Sequence, residues 1–276
     1  MNSSNISVPA RFFQDQHLKK LALKGSSTYQ NAKPFSHISY DDFLPADALE
    51  KVLEEFPDVD DTQWQQYKSE TENGKLASST YELIPPYTRY VLDQLNTPPF
   101  LQFLETLTGI KGLIPDPYYT GGGMHQTKRG GWLGMHVDFN RYEQLKLYRR
   151  INVLVYLNKE YQEEYGGHLE LWDEDMKMCY EKIAPIFNRC VIFTTSENSH
   201  HGHPDPLHFP EGSTRKSLAW YYYTTESGSG APDQAHTTLF KARKGKDRRY
   251  KLDTVKAVLR SCIPPIVITL IKKLRN

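Results

Sequence analysis

The sequence predicts a β-sandwich or barrel with helices packed outside it, and three observations lead there. From about residue 111 the chain breaks into short runs rich in Val, Ile, Tyr and Trp, punctuated by Gly and Pro clusters, as successive strands require. One of these runs, Ile151 to Leu157, places Ile151, Val153, Val155 and Leu157 on one face and Asn152, Leu154 and Tyr156 on the other. Upstream of it, apolar residues recur at helical spacing instead.

The elements follow in order. Residues 1 to about 35 mix polar and aromatic side chains without a clear period and read as a helical or irregular arm over the main body. Ser36 to Pro45 reads as a short strand ending at a turn, and Ala46 to Phe56 as a helix with Leu49, Val52, Leu53 and Phe56 on its apolar face. Tyr87 to Thr108 gives two helices separated at Pro98-Pro99, because proline is tolerated in a first helical turn and not in the interior. Gly166-Gly167 turns into a strand at His168 to Trp172, and Asn188 to Thr195 and Ser217 to Thr224 supply two more. Beyond Thr225 the stretch Ser-Gly-Ser-Gly-Ala-Pro-Asp reads as a linker. A basic stretch from Lys241 to Lys251 and two short helices separated by Pro264-Pro265 follow, the last docking on the barrel. The expected division is therefore an N-terminal arm with helices over 1–110, a β core over 111–225, and a linker with C-terminal helices over 226–276.

Composition excludes several function classes. The 34 Lys and Arg against 33 Asp and Glu give no bulk electrostatic case for a nucleic-acid partner. The polar N-terminus lacks the apolar core of a secretory signal, and no stretch reaches the roughly 18 apolar residues of a membrane span, so a soluble cytoplasmic protein is expected. Cys179, Cys190 and Cys262 form neither a disulfide framework nor a CxxC pair, which suits a reducing compartment. The glycine-rich stretches Tyr118 to Met124 and Lys128 to Trp132 lack the GxxxxGK[ST] arrangement of a phosphate-cradling loop. They read as mobile turns at the mouth of the barrel, with Trp132, Phe139 and Arg141 available to a substrate.

His136 and Asp138, two apart in Gly-Met-His-Val-Asp-Phe, emerge on one face if their segment is extended. Two imidazoles and one carboxylate on one face of an octahedron bind Fe(II) and leave the opposite positions open. Alone, a His-x-Asp arises by chance. Here it is followed by Ser199-His-His-Gly-His-Pro204, offering His200, His201 and His203 as the third ligand, and then by Arg215-Lys-Ser217. Arg offers a planar fork that matches a carboxylate, and on a strand Arg215 and Ser217 share one face.

With these three parts in order, the chain resembles the 2-oxoglutarate- and iron-dependent oxygenase superfamily, in particular its prolyl-4-hydroxylase-like branch. The resemblance covers about residues 111 to 225 and implies a mainly β fold with a double-stranded β-helix (jelly-roll) core. Its distal ligand precedes Gly in a His-Gly-x-Pro stretch, which points to His201 with His203 as the competitor; His200 and His208 are then surface or supporting groups. The resemblance further implies Fe(II), O₂ and 2-oxoglutarate, with Arg215, Ser217 and Tyr156 on the distal carboxylate of the co-substrate. It places His125 near the iron-proximal carboxylate. Asn152 either donates to co-substrate or substrate or pairs with backbone. The implied reaction turns 2-oxoglutarate into succinate and CO₂ and hydroxylates a prolyl, other amino-acid or small-molecule substrate. Related halogenases lack the carboxylate that Asp138 supplies, which favours hydroxylation. Desaturation, ring closure or demethylation on the same scaffold, and a jelly roll that binds without turnover, are the alternatives.

Overall fold

Strand β7 (Leu147–Tyr156) shows how the sequence builds the architecture. Its outward residues Ile151, Val153 and Val155 are fully buried in one large apolar cluster with residues of the flanking helices. The inward Asn152, Leu154 and Tyr156 turn to the opposite face, as the alternation requires. The computed structural model describes residues 12–13, 15–61, 64–78, 80–227 and 234–247. Over these the order is α1 (Asp15–Asn31), β1 (His37–Tyr40), α2 (Ala46–Glu54), β2 (Gln65–Lys68), β3 (Glu72–Ser78), α3 (Pro86–Gln94) and α4 (Pro98–Thr108). There follow β4 (Ile114–Pro115), β5 (Gly123–Val137), β6 (Arg141–Tyr142), β7, β8 (Leu169–Trp172), β9 (Cys179–Ile183), β10 (Cys190–Thr194), β11 (His200–His203), β12 (Arg215–Thr224) and β13 (Leu239–Phe240).

The strands pair antiparallel in the order β1-β10-β7-β12-β5-β11-β8-β9, in a jelly roll whose inner face encloses a cavity. The helices cover the outer face. Helix α4 begins on Pro98, whose missing N–H is unpaired in a first turn anyway, and stops at Gly109 in the left-handed region. Its Phe100, Phe103, Leu104 and Leu107 pack with Leu218, Trp220 and Tyr222 of β12. Burying side chains of this size contributes about 1.5–3 kcal/mol each. Two hydrogen bonds fix the end of α3 on the sheet: Trp220 Nε1 donates to the Leu92 carbonyl at 2.9 Å and Tyr222 Oη to the Leu95 carbonyl at 2.8 Å. They satisfy carbonyls that a helix end leaves unpaired.

Three features differ from the sequence reading. The hairpin β2–β3 was not anticipated, and β3 joins the sheet beside β5. Three strands from the first 110 residues therefore enter the sheet. Lys128 to Trp132 is not a turn: it lies inside the 15-residue strand β5, which kinks at Gly130. The stretch after the expected linker is also structured. Residues 234–247 cross back over β5, with Leu239 and Phe240 pairing with Val137 and His136. Arg243 anchors this strap to Asp205 at 2.7 Å and is braced within it by Asp247 at 2.9 Å. The helices expected around Pro264-Pro265, and Cys262, lie outside the described residues. Cys179 and Cys190 are free thiols. No helix among the described residues is long and apolar enough to cross a membrane.

Candidate metal centre and co-substrate pocket

The pairing of β5 with β11 sets His201 directly opposite His136, and Asp138 follows at the end of β5. Asp138 Oδ1 lies 3.7 Å from His136 Nε2, and its Oδ2 lies 3.4 Å from His201 Nε2. Among the described residues these three form the group whose ligand atoms could hold one metal ion, all lying within 4.8 Å of one another. Both imidazoles are oriented by backbone. His136 Nδ1 donates to the Gly134 carbonyl at 2.9 Å, and His201 Nδ1 to the Ser199 carbonyl at 2.8 Å. That fixes the tautomer and leaves each Nε2 lone pair facing the centre of the group. Burial pushes the His136 imidazole down to about 3 and also lowers that of His201, so both are neutral at pH 7, the form that ligates metals.

The environment of Asp138 comes from Asn152 and from Arg149, which the sequence did not single out. Arg149 Nη2 stands 3.0 Å from Asp138 Oδ2. Asn152 donates its amide to the same oxygen at 2.7 Å and accepts from Arg149 Nε at 2.9 Å. Burial alone would raise the Asp138 carboxyl, but Arg149, the two histidines and Asn152 outweigh it and hold it far below the usual range. Asn152 is therefore engaged with Asp138 and Arg149, not with backbone. The Arg149 guanidinium carbon lies over the Tyr221 ring, 3.4 Å from its centroid.

Beside the group is an inner cavity of about 90 Å³, lined by His125, Thr127, Leu154, His203, Arg215 and Ser217 among others. Strand register explains why these converge. Lys75, Thr127 and Arg215 stand in one row across β3, β5 and β12, and Ala77, His125, Ser217 and Tyr156 in the next. Arg215 is buried. Its Nε donates to the Gly167 carbonyl at 2.6 Å and its Nη2 to Tyr156 Oη at 3.3 Å, with the guanidinium over the Tyr156 ring. Gly167 makes this possible, since a Cβ there would lie 2.9 Å from the Arg215 Cδ and its φ of +78° is one that side chains avoid. His125 Nε2 and His203 Nδ1 are buried in the cavity wall with no hydrogen-bond partner among the described residues. A cavity with a buried guanidinium at one side, two unpaired imidazole nitrogens and a ligand group at the other suits a dicarboxylate that also chelates a metal.

The register separates the candidate histidines. His203 pairs opposite Leu133 after an irregularity in β11 and lies in the cavity wall outside the ligand group. Between the two, Gly202 packs so closely on β5 that a Cβ would meet the carbonyls of Leu133 and Gly134 at 2.8 Å, which accounts for the glycine of the His-Gly-x-Pro stretch. His200, expected as a surface or supporting group, is buried at 5 % exposure because its side of β11 faces the β8 strand and the strap. His208 is exposed.

Residues 122–223 match the model of the 2OG-Fe(II) oxygenase superfamily. The matched stretch runs from β5 to β12, the strands that carry the ligand group and the cavity. Iron(II) and 2-oxoglutarate are accordingly its cofactor and co-substrate, and the protein is an iron(II)- and 2-oxoglutarate-dependent dioxygenase. The superfamily's fold recurs in solved structures of low identity. A prolyl hydroxylase from Trichoplax adhaerens, in complex with a hypoxia inducible factor peptide fragment, aligns at TM-score 0.56 and 16 % identity over 75 % of this chain and 91 % of its own. A prolyl-4-hydroxylase from Pseudomonas putida aligns at TM-score 0.51 and 16 % identity, over 74 % and 99 %. HygX from Streptomyces hygroscopicus, with nickel, 2-oxoglutarate and hygromycin B bound, aligns at TM-score 0.51 and 10 % identity, over 78 % and 97 %. No curated protein matches in sequence.

Outside the ligand group the inner cavity opens to a vestibule of about 440 Å³. Its walls come from β2 and β3 (Gln65, Tyr67, Glu72, Lys75), from Tyr118 and Phe139, and from Thr238 and Phe240 of the strap. Phe240 also packs on the His136 ring at 5.4 Å between centroids. Of the residues expected at the mouth, Phe139 lines the vestibule, whereas Arg141 packs over Tyr148 beside Glu143.

Proposed function

We propose that this oxygenase hydroxylates a C–H bond of a prolyl, other amino-acid or small-molecule substrate. In this reading His136, Asp138 and His201 hold the iron, and Arg215, Tyr156 and Ser217 hold the far carboxylate of 2-oxoglutarate. The observation that carries it is the buried His136–Asp138–His201 group, with both Nε2 atoms freed by backbone acceptors, next to a cavity that contains an arginine with unused donors. Bound iron(II) would supply the oxidising chemistry by activating O₂, one oxygen atom going to the substrate and the other to succinate as 2-oxoglutarate loses CO₂.

The chain's own residues do the positioning. Arg215 has donors left after its bonds to Gly167 and Tyr156, and Ser217, one row away on the same face of β12, adds a hydroxyl. Neutral His125, whose imidazole burial lowers to about 3, stands in the cavity wall and bounds the space for the carboxylate nearest the metal. Leu133, Leu154 and Leu169 line the inner cavity and keep water from it. Arg149 and Asn152 fix the Asp138 carboxylate, so the ligand set is organised before any ion arrives. Two of the fold's relatives are prolyl hydroxylases, which supports an amino-acid carbon as the target.

The test is reconstitution with Fe(II) without oxygen, followed by 2-oxoglutarate binding and then succinate release on admitting O₂. Failure to bind 2-oxoglutarate in the presence of iron would exclude the reading. A second measurement addresses the distal ligand: His201→Ala is expected to lose iron, whereas His203→Ala retains iron and binds 2-oxoglutarate several-fold more weakly. The reverse ranking of iron content would move the ligand role to His203.

A further inference from the structure

Among the described residues Lys75 is the one cation facing the two cavities whose charged end makes no hydrogen bond, its Nζ standing 4.8 Å from the centroid of the Tyr67 ring. It projects from β3 in the row of Thr127 and Arg215, and lines both the inner cavity and the vestibule. Its nearest acid, Glu72, is 3.9 Å away, beyond hydrogen-bond reach. No hydrogen bond to its Nζ occurs among the described residues, although its side chain is only 22 % exposed. An ammonium so enclosed is stabilised by an anion brought to it.

Charge counting indicates what that anion is, and this step rests on the oxygenase reading above. The cations facing the cavities are Lys75, Arg149 and Arg215; the anions are Glu72 and Asp138. The two positive charges of iron(II) and the two negative charges of 2-oxoglutarate cancel. One positive charge is left. Arg149 is occupied by Asp138 at 3.0 Å, and Arg215 by the co-substrate, so the surplus falls on Lys75. A single lysine suits a monoanion; a phosphate would bring nearly two charges and calls for more donors than this site has. Tyr67, Tyr118, Phe139 and Phe240 make much of the remaining wall, which suits an apolar or ring-bearing body.

We propose that Lys75 receives a carboxylate of the substrate, which is therefore a small carboxylic acid with an apolar or cyclic body held in the vestibule beside the His136–Asp138–His201 group. An internal prolyl residue of a peptide has no carboxylate of its own. Lys75 is then a specificity-determining residue, acting on the substrate and not on 2-oxoglutarate.

The test uses the full chain loaded without oxygen with Mn(II) and saturating 2-oxoglutarate. Calorimetric titration is made with N-acetyl-L-proline and 3-phenylpropanoate, and with the primary amide of each. In the wild type at least one acid is expected to bind about tenfold or more tighter than its amide, the effect of about 1.4 kcal/mol. In Lys75→Met the ratio falls to within about twofold and in Lys75→Arg it recovers, while 2-oxoglutarate affinity in Lys75→Met stays within about threefold of wild type. Acids that bind no better than amides to the wild type, including no binding of either, overturn the proposal without recourse to any variant. So does a preference that survives Lys75→Met, or a variant that loses 2-oxoglutarate in step with the probe, which would assign the lysine to the co-substrate. A wild type that takes up neither Mn(II) nor 2-oxoglutarate overturns the metal-site reading itself.

Discussion

Asp138→Ala is expected to leave the protein without bound iron after anaerobic loading and desalting, and to lower succinate formation by more than about 100-fold. Losing a supporting residue behind a metal ligand typically costs about 10- to 100-fold in metal affinity or activity, and a ligand itself costs more. A second effect accompanies the first. Arg149 lies within 3.0 Å of the carboxylate and is buried, so the alanine variant leaves its charge without an acid. Breaking a buried pair in this way costs about 3–5 kcal/mol of stability. Asp138→Asn keeps the shape and a carbonyl oxygen towards Asn152 but removes the same charge, so it too should lose iron and part of the stability. Iron content and thermal unfolding measured on both variants check the argument. An alanine variant with a full complement of iron and normal turnover would falsify the assignment of Asp138 as a ligand.

Arg215→Ala is expected to weaken 2-oxoglutarate binding by roughly 30- to 800-fold, the equivalent of about 2–4 kcal/mol for removing one side of a buried charged contact. Iron content should be unaffected, since Arg215 touches Gly167 and Tyr156 and none of the three ligand residues. Turnover at saturating 2-oxoglutarate should recover in part, so the defect appears mainly in KM. Lys in this position restores a charge without the planar fork and should recover only part of the affinity. Titration of 2-oxoglutarate into iron- or manganese-loaded protein measures the effect directly, and an affinity equal to wild type would remove Arg215 from the co-substrate site.

Much of this fold is legible because one face of each central strand is apolar. Ile151, Val153 and Val155, or Leu218 and Trp220, announce both a strand and the side that meets the helices. The same logic hides the inner face. Strand β7 begins at Leu147, four residues before its apolar alternation becomes visible, because Arg149 sits inside against Asp138 where a core strand would carry an aliphatic residue. Arg149 was missed for that reason. The β2–β3 hairpin was missed likewise: Gln65 to Lys68 is half-buried or exposed, and Lys75 faces a polar cavity, so no period-two apolar pattern exists to be read. The His-Gly-His stretch shows a different limit. Spacing offered two histidines, and only the pairing of His201 with His136 across β5 and β11 distinguishes them in space. The short strand β13 has two residues, too few for any periodicity, and the cue to its strap was the set of carboxylates Asp205, Asp247 and Glu170 that awaits Arg243.

Strand β5 is bonded to four others, β3, β11, β12 and β13, and carries His125 and Thr127 towards one end and His136 at the other. The floor for the co-substrate and the first metal ligand thus ride on a single clamped piece of backbone, and neither can be retuned without disturbing the other. The hairpin and the strap are under no such constraint, since each meets the catalytic strand along one flank only. Adaptation to a different substrate is therefore expected to leave β5 unchanged and to alter Gln65 to Lys75 and Thr238 to Phe240, so that the specificity can change while the chemistry stays.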